Sequence, residues 1–239
     1  MLEDLGLATT VIGLVRPHME KSANPRGLFV PFPLGRPLGE PGDAAFQGQV
    51  LRAALRLLER ADGPVILADF PADAPSQAGV PGWRPAMALP PPASPASPDE
   101  WAAALATEVA LVRPAWQQAG ARFGRTTVGL SGLAPEAWPG FASAFLGVNP
   151  PAPPAGFASA ALALRFMADD LKAYYTEAAQ ATGPAPTPDQ ASAWLYGATL
   201  AGRLLVALRT AALASEDGGF KTLAGRFLVP VPFLPPVRT

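Results

Sequence analysis

The spacing of apolar side chains predicts an α/β fold in the first third of the chain. A β-branched apolar run over residues 9–15 predicts a buried parallel strand, and apolar runs at 28–30 and 64–70 predict two more. Apolar residues recur at helical spacing over residues 46–60, between the last two strands. This order of elements is typical of a parallel sheet whose strands are joined by crossover connections.

Apolar stripes predict a second, helical part. Segments 97–100 and 187–190 each place a hydroxyl residue before proline and a Glu or Gln three residues later, which indicates a capped helix start. We expect Pro114 to kink or divide the first of these helices, and the second to continue through Leu208. A further helix is predicted over residues 156–180.

Proline divides the chain into parts. Segment 71–98 contains nine prolines in 28 residues, which predicts a connector without regular structure. We therefore expect a domain with a Rossmann-like parallel sheet over 1–70 and a helix-rich part over 99–225. Residues 226–239 form an apolar, proline-rich tail that either packs as an extended arm or docks on a partner.

Charge and composition exclude several classes of function. Eighteen Lys and Arg balance nineteen Asp and Glu without a block of like charge, so nucleic acid is not an expected partner. The chain has no Cys and one His, which excludes disulfides, iron–sulfur clusters, a cysteine nucleophile and a multi-His metal site. Prolines interrupt the longest uncharged run, 137–164, and no signal peptide is recognisable. We expect no membrane span and a cytoplasmic location.

The motifs predict no cofactor. No G-x-G-x-x-G follows the first predicted strand, and segment 120–126 has Arg where a phosphate-binding loop requires Lys. Segment 129–132 lacks the spacing of a nucleophile elbow, and a strand is predicted over 126–130. Asp169 and Asp170 are adjacent on a predicted helix and point in different directions, so we expect both at the surface.

The candidate chemistry lies just after the first two strands, where open α/β sheets bind ligands. Arg16 could hold a substrate carboxylate, and His18 or Glu20 could relay a proton. The loop over 32–39 could present backbone amides to an anion, or form a stiff turn. For the charged residues the alternative is a solvated turn. The predicted catalytic residues are His18 and Glu20, and the predicted substrate-binding residues are Arg16, Gly35, Arg36 and Gly39.

Two segments carry a family resemblance. Residues 6–21 include Thr-Thr-Val-Ile-Gly-Leu-Val-Arg-Pro-His-Met-Glu-Lys, and residues 25–39 are Pro-Arg-Gly-Leu-Phe-Val-Pro-Phe-Pro-Leu-Gly-Arg-Pro-Leu-Gly. They resemble the glycine/sarcosine/betaine/D-proline reductase family, the selenoprotein B group. The Pro-Phe-Pro-Leu-Gly turn over 31–35 is the most specific element. The resemblance covers residues 1–70, and more loosely 192–230.

The resemblance implies a reductase that cleaves a carbon–nitrogen bond of a small amino acid or amine. Its Cys or selenocysteine would lie at the head of the helix before the first strand, and its electrons would come from a thioredoxin-type system. This chain begins inside what would be that helix and contains no Cys. Either the start codon lies downstream of the nucleophile, or the protein has lost redox chemistry.

We therefore expect a reductase-like protein that is inactive as this chain. It would bind a small zwitterionic or amine ligand, form an oligomer, and retain a possible contact with a thioredoxin-type donor or another protein. One alternative is a non-catalytic binding or scaffold subunit of α/β fold. Another is a small-molecule binding module unrelated to the reductases.

Overall fold

The predicted fold class is confirmed: the chain is an α/β protein with a parallel sheet followed by a helix-rich part. The computed structural model describes residues 2–74, 79–147 and 150–234. Its contacts divide the chain into two compact units, Met1–Gly79 and Val80–Thr239. The boundary between them falls inside the predicted connector over 71–98.

The first unit is built around a three-stranded parallel sheet in the order β1-β2-β3. Val11 pairs with Gly27, and Gly27 pairs with Leu67, so all three carboxyl ends lie at one edge of the sheet. The elements of this unit are a 3₁₀ turn (Glu3–Leu5), β1 (Val11–Gly13), α1 (Arg16–Ser22), β2 (Arg26–Phe29), α2 (Ala44–Arg56), a second 3₁₀ turn (Leu57–Glu59) and β3 (Ile66–Asp69).

Each face of the sheet is covered by one helix. On one face α2 packs its buried side chains against β2 and β3, and three phenylalanine rings lie 5.5–5.9 Å apart beside them. On the other face Met19 of α1 lies directly over Gly13 and Gly27. A Cβ at Gly13 would overlap the Met19 sulfur, and one at Gly27 would come within 2.8 Å of its terminal methyl, so the two glycines leave room for the Met19 side chain on this face. The three phenylalanine rings on the α2 face are those of Phe32, Phe46 and Phe70.

The second unit contains six α-helices among its described residues. They are α3 (Pro98–Phe123), α4 (Trp138–Ala144), α5 (Ala160–Ala178), α6 (Pro188–Ala198), α7 (Leu200–Ala214) and α8 (Gly218–Arg226), followed by a 3₁₀ turn (Val231–Phe233). The predicted helix starts are confirmed, because Ser97 caps α3 and Thr187 forms a capping box with Gln190 on α6. The helices enclose one apolar core, in which Trp138, Tyr174 and Tyr175 are fully buried.

Three details of the structure differ from the sequence prediction. Of the two outcomes expected at Pro114, a kink or a division, the division does not occur, because α3 runs unbroken for 26 residues. Residues 126–130 form no strand, because their backbone donates hydrogen bonds to side chains of α5 instead of to another strand. The apolar stripe after Thr187 belongs to two helices that meet at 78° around Thr199.

The break at Thr199 has a local cause. Its backbone is extended, and its hydroxyl donates a hydrogen bond to the carbonyl of Leu195 (2.6 Å) while accepting one from the N–H of Gly202 (3.0 Å). Thr199 therefore ends α6 and caps α7. The turn is tight enough that a Cβ at Gly202 would overlap the carbonyl oxygen of Leu195.

The described part of the connector is irregular, as predicted. None of residues 79–97 lies in a helix or strand, and none of them is buried. The segment nevertheless lies against the second unit: Gln190 donates to the carbonyl of Val80 (2.6 Å), Arg203 donates to that of Pro92 (3.1 Å), and Met87 packs on the helical core.

The start of the tail packs as an arm on its own unit. Leu228 is fully buried, and its carbonyl accepts a hydrogen bond from the Tyr196 hydroxyl (3.0 Å). Lys172 donates to the carbonyl of Phe227 (2.7 Å), and the Tyr196 ring stacks on Phe233. The last five residues of the predicted tail, 235–239, lie outside the described residues.

Within the described ranges, no individual helix has both the length and the apolar composition needed to cross a membrane. Of the helices in these ranges, only α6 and α7 taken together reach that length and mean hydropathy, and they are bent by 78°.

Two glycine substitutions test the α6–α7 turn. We expect Gly202→Ala to lower the free energy of unfolding by about 2 kcal/mol or more, because the new methyl group meets backbone that cannot move aside. Gly197→Ala in α6 is the matched control: its Cβ meets nothing within 4 Å, and we expect a gain of about 0.5–1 kcal/mol. Urea unfolding followed by circular dichroism measures both. Equal unfolding midpoints would contradict the tight turn.

Candidate functional site

An ion pair joins the two outer strands at the carboxyl edge of the sheet. Arg16 begins α1 three residues after β1, and Asp69 is the last residue of β3. The Arg16 Nε donates to Asp69 Oδ1 at 2.9 Å and Nη2 donates to Oδ2 at 3.2 Å, which is a two-pronged contact. Because β2 lies between β1 and β3, this contact spans the end of the central strand.

A second carboxylate, that of Glu20, also contacts Arg16. Glu20 lies one helical turn after Arg16 on α1 and accepts a hydrogen bond from Arg16 Nη1. We call Arg16, Glu20 and Asp69 the edge cluster. Their side chains are 41–54% exposed, so the cluster is open to solvent. Hydrogen bonding to Asp69 raises the pKa of Arg16 above its ordinary value. One guanidinium and two carboxylates leave the cluster with one net negative charge.

His18 lies apart from this network. It is exposed on α1, and its imidazole makes no hydrogen bond or ion pair with any residue that the structure describes. It is two residues away from both Arg16 and Glu20, which places it on a different side of the helix. The structure therefore brings Arg16 and Glu20 together, and the predicted proton relay through His18 stays a prediction.

The predicted loop residues form a compact double turn. Gly35 and Gly39 both have left-handed backbone (φ +87° and +89°), and a Cβ at Gly39 would come within 2.8 Å of Phe46. The amides of Arg36 and Gly39 donate within the loop, each at 3.0 Å, so neither is available to an anion in this conformation. The Arg36 side chain pairs with Glu40. Within residues 2–74, no hydrogen bond or ion pair connects this loop to the edge cluster.

Asp69 is the site residue that the sequence analysis missed. The signal was present, because Asp69 lies near the end of the third predicted strand, and the carboxyl ends of parallel strands share one edge. The same rule identified Arg16 and the loop after β2. Applied to all three strands, it would have placed Asp69 at the same edge of the sheet as Arg16.

The second unit holds a carboxylate that its core encloses almost completely. Glu108 on α3 is 4% exposed and accepts hydrogen bonds from the Tyr175 hydroxyl (2.7 Å) and from the N–H groups of Leu200 (2.8 Å) and Ala201 (3.0 Å). Burial, and then the neighbouring Glu108, raise the pKa of Tyr175 well above its ordinary value. All these contacts hold helices together, so Glu108 has a structural role.

The expectation that Asp169 and Asp170 both lie at the surface is wrong for Asp170. This side chain is fully buried and accepts hydrogen bonds from the N–H groups of Gly129, Leu130 and Ser131, each at 2.8 Å, and from the Ser131 hydroxyl at 2.5 Å. The loop donors replace water around the carboxylate.

A third acid, Glu177, anchors the same loop in a similar way. It accepts hydrogen bonds from Thr126, Thr127 and the Trp116 ring. Burial opposes ionisation of this side chain, but the hydrogen bonds outweigh it and lower the pKa of Glu177. The three acids Glu108, Asp170 and Glu177 therefore hold loops and helices of the second unit in place.

Neither a protein-family model, nor a curated protein, nor a solved structure matches the chain. Among the described residues, no group of three or more His, Asp or Glu side chains is arranged to hold a metal ion. The edge cluster is therefore the candidate site that both the position in the sheet and the chemistry of the side chains support.

Proposed function

We propose that this chain is a reductase-like binding protein that holds a small amine, or the ammonium end of a zwitterion, at the edge cluster. In this proposal the chain has no redox turnover of its own. The observation that carries it is the charge of the cluster: Arg16 can neutralise only one of the two carboxylates that it contacts. A cytoplasmic location, where thioredoxin-type donors work, belongs to the same proposal.

The geometry favours a cation over an anion. Arg16 already binds Asp69 with two prongs, so a ligand carboxylate would have to displace that side chain. An ammonium group displaces nothing, because each carboxylate oxygen has further lone pairs that can accept an N–H donor. The family resemblance supports the same ligand class, since those reductases act on small amino acids and amines.

The residues have distinct proposed roles. Asp69 and Glu20 accept the N–H donors of the ligand, and Arg16 holds the two carboxylates in position. This assigns to Arg16 a positioning role in place of the substrate-binding role expected from the sequence. Because the cluster is half-exposed, water weakens each charge interaction, and we expect dissociation constants of about 1 mM or weaker.

A ligand titration tests the site. We expect ethylammonium to shift the backbone amide signals of α1 and of Asp69 saturably, while acetate, of similar size and opposite charge, does not. Asp69→Asn removes one negative charge and should weaken ethylammonium binding at least about fivefold. The measurement is two-dimensional NMR on the full chain.

Glu40→Gln is the matched control for this titration, because Arg36 and Glu40 form an exposed pair with the same i,i+4 spacing as Arg16 and Glu20. It should leave ethylammonium binding unchanged. Equal shifts from acetate and ethylammonium, or equal binding by wild type and Asp69→Asn, would disprove an amine site at the edge cluster.

The chain should have no reductase activity. Reductive carbon–nitrogen cleavage in the resembled family needs a thiolate or selenolate, and Ser, Thr and Tyr cannot be regenerated by a dithiol donor. With dithiothreitol and glycine, sarcosine or betaine, we expect the purified 239-residue protein to release no amine above the protein-free rate. Dithiol-dependent amine release would overturn this part of the proposal.

A scaffold role is the second candidate. It is supported by large apolar side chains that are 40–77% exposed at or before the edge strand β1: Leu2, Leu5, Leu7 and Val11. Such a row beside an open sheet edge is typical of an interaction surface. If it joins copies of this chain, Leu5→Asp should lower the average mass in sedimentation equilibrium, whereas Leu34→Asp, at an equally exposed leucine, should not. Unchanged mass in both variants would remove this support.

A further inference from the structure

The second unit contains a cavity of about 310 Å³, a size within the range of small-molecule sites. It lies between the end of α4, the first turns of α5, the last turns of α7 and the start of α8. It belongs to a different unit from the edge cluster, so it raises a separate question about ligands. Its lining includes Phe145, Leu164, Leu208, Ala211, Ala214 and Phe220.

The floor of the cavity is apolar. The rings of Phe145 and Phe220 lie 5.9 Å apart at an angle of 58°, and Leu164 and Leu208 beside them are almost fully buried. Alanines on the last turns of α7 leave the space open, because they do not reach across it. Aromatic rings pack on one another in offset or edge-to-face arrangements, so a ligand ring can pack against these two.

The rim of the cavity carries hydrogen-bond acceptors. Helix α7 ends at Ala214, and the following residue, Ser215, is extended (ψ 147°) and makes no capping hydrogen bond back to the helix. In the described parts of the chain, no hydrogen bond ends on the carbonyl of Ala212 or Ala214, both of which line the cavity. Free carbonyls at a helix C-terminus carry partial negative charge and favour a cation.

The charges around the rim also favour a cation. The described residues that line the cavity include no Lys or Arg, and two acids, Glu216 and Asp217, directly follow Ser215 in the chain. Six residues, about 9 Å of helix, separate Leu208 at the floor from Ala214 at the end of α7. A phenyl ring, a two-carbon linker and one N–H···O hydrogen bond together span about that length.

We propose that this cavity binds a small arylalkylamine. The aromatic ring packs against Phe145 and Phe220, and the ammonium group donates hydrogen bonds to the carbonyls at the end of α7. Apolar burial selects the ring, and the helix terminus selects a cation over an anion.

The test compares 2-phenylethylamine with 3-phenylpropionate, which has the same ring and the same two-carbon linker but the opposite charge. Saturation-transfer NMR on the full chain measures both. We expect the amine to bind with a dissociation constant of about 1 mM and the carboxylate to bind at least about tenfold more weakly. Equal binding of the two, or no binding of the amine up to about 10 mM, would overturn the proposal.

Substitutions on α7 locate the binding. Ala211→Leu fills the cavity and should weaken binding of the amine at least about tenfold. Ala207→Leu is the matched control, because Ala207 is equally half-buried on the same helix and does not line the cavity. Ala214→Leu, at the exposed rim, provides a second variant if Ala211→Leu does not fold. Equal effects at positions 207 and 211, or at 207 and 214, would place the ligand elsewhere.

The edge cluster also favours amines, so one more variant separates the two sites. Because Asp69→Asn weakens amine binding at the edge cluster, the binding of 2-phenylethylamine that remains in this variant should belong to the cavity, and adding Ala211→Leu should weaken that remainder at least about tenfold. Loss of binding in Asp69→Asn with normal binding in Ala211→Leu would assign the amine to the edge cluster and overturn the cavity proposal. The two proposals therefore fail in distinguishable ways.

Discussion

The architecture of the helical unit depends on the hydrogen bonds of one buried carboxylate. Glu108 of α3 joins Tyr175 of α5 to the first N–H groups of α7, so three helices meet at two oxygen atoms. A buried charge without partners would cost several kcal/mol. Here the positive end of a helix and three hydrogen bonds offset that cost. The break at Thr199 leaves the N–H groups of Leu200 and Ala201 without partners inside a helix, and Glu108 accepts both of them.

Features of the fold could be predicted from the sequence where the interacting residues are close together in the chain, and not where they are far apart, as Glu108 and Leu200 are. Helix starts such as Ser97 and Thr187 depend on residues three positions away, and they were predicted correctly. The break at Thr199 combines the local cap by the Thr199 hydroxyl with contacts to Glu108, which lies 92 residues before Leu200 in the chain. Apolar spacing alone continues smoothly across the break. Partners distant in sequence also explain Asp170, whose donors lie 39–41 residues earlier in the chain.

The candidate site likewise combines one contact between residues close in sequence with one contact between residues far apart in sequence. Arg16 and Glu20 are neighbours by helical spacing, so their pairing follows once α1 is predicted. Asp69 is 53 residues away, and its place beside Arg16 depends on the strand order. That third residue changes the chemistry. With Arg16 alone, the strand end favours an anion, but with two carboxylates bound to it, the same guanidinium holds a negative site together.

The two proposed sites would select their ligands by different physical means. At the edge cluster the charges are half-exposed, so water and salt screen them, and selectivity depends on the sign of the ligand's charge. In the cavity of the second unit, the walls exclude water from the ring of a ligand, so its shape and apolar area also count. Helix α7 extends from Glu108 at its start to the rim of this cavity at its end. The Glu108 carboxylate accepts the first N–H groups of α7, fifteen residues of helix follow, and the last carbonyls of α7 lie at the cavity rim.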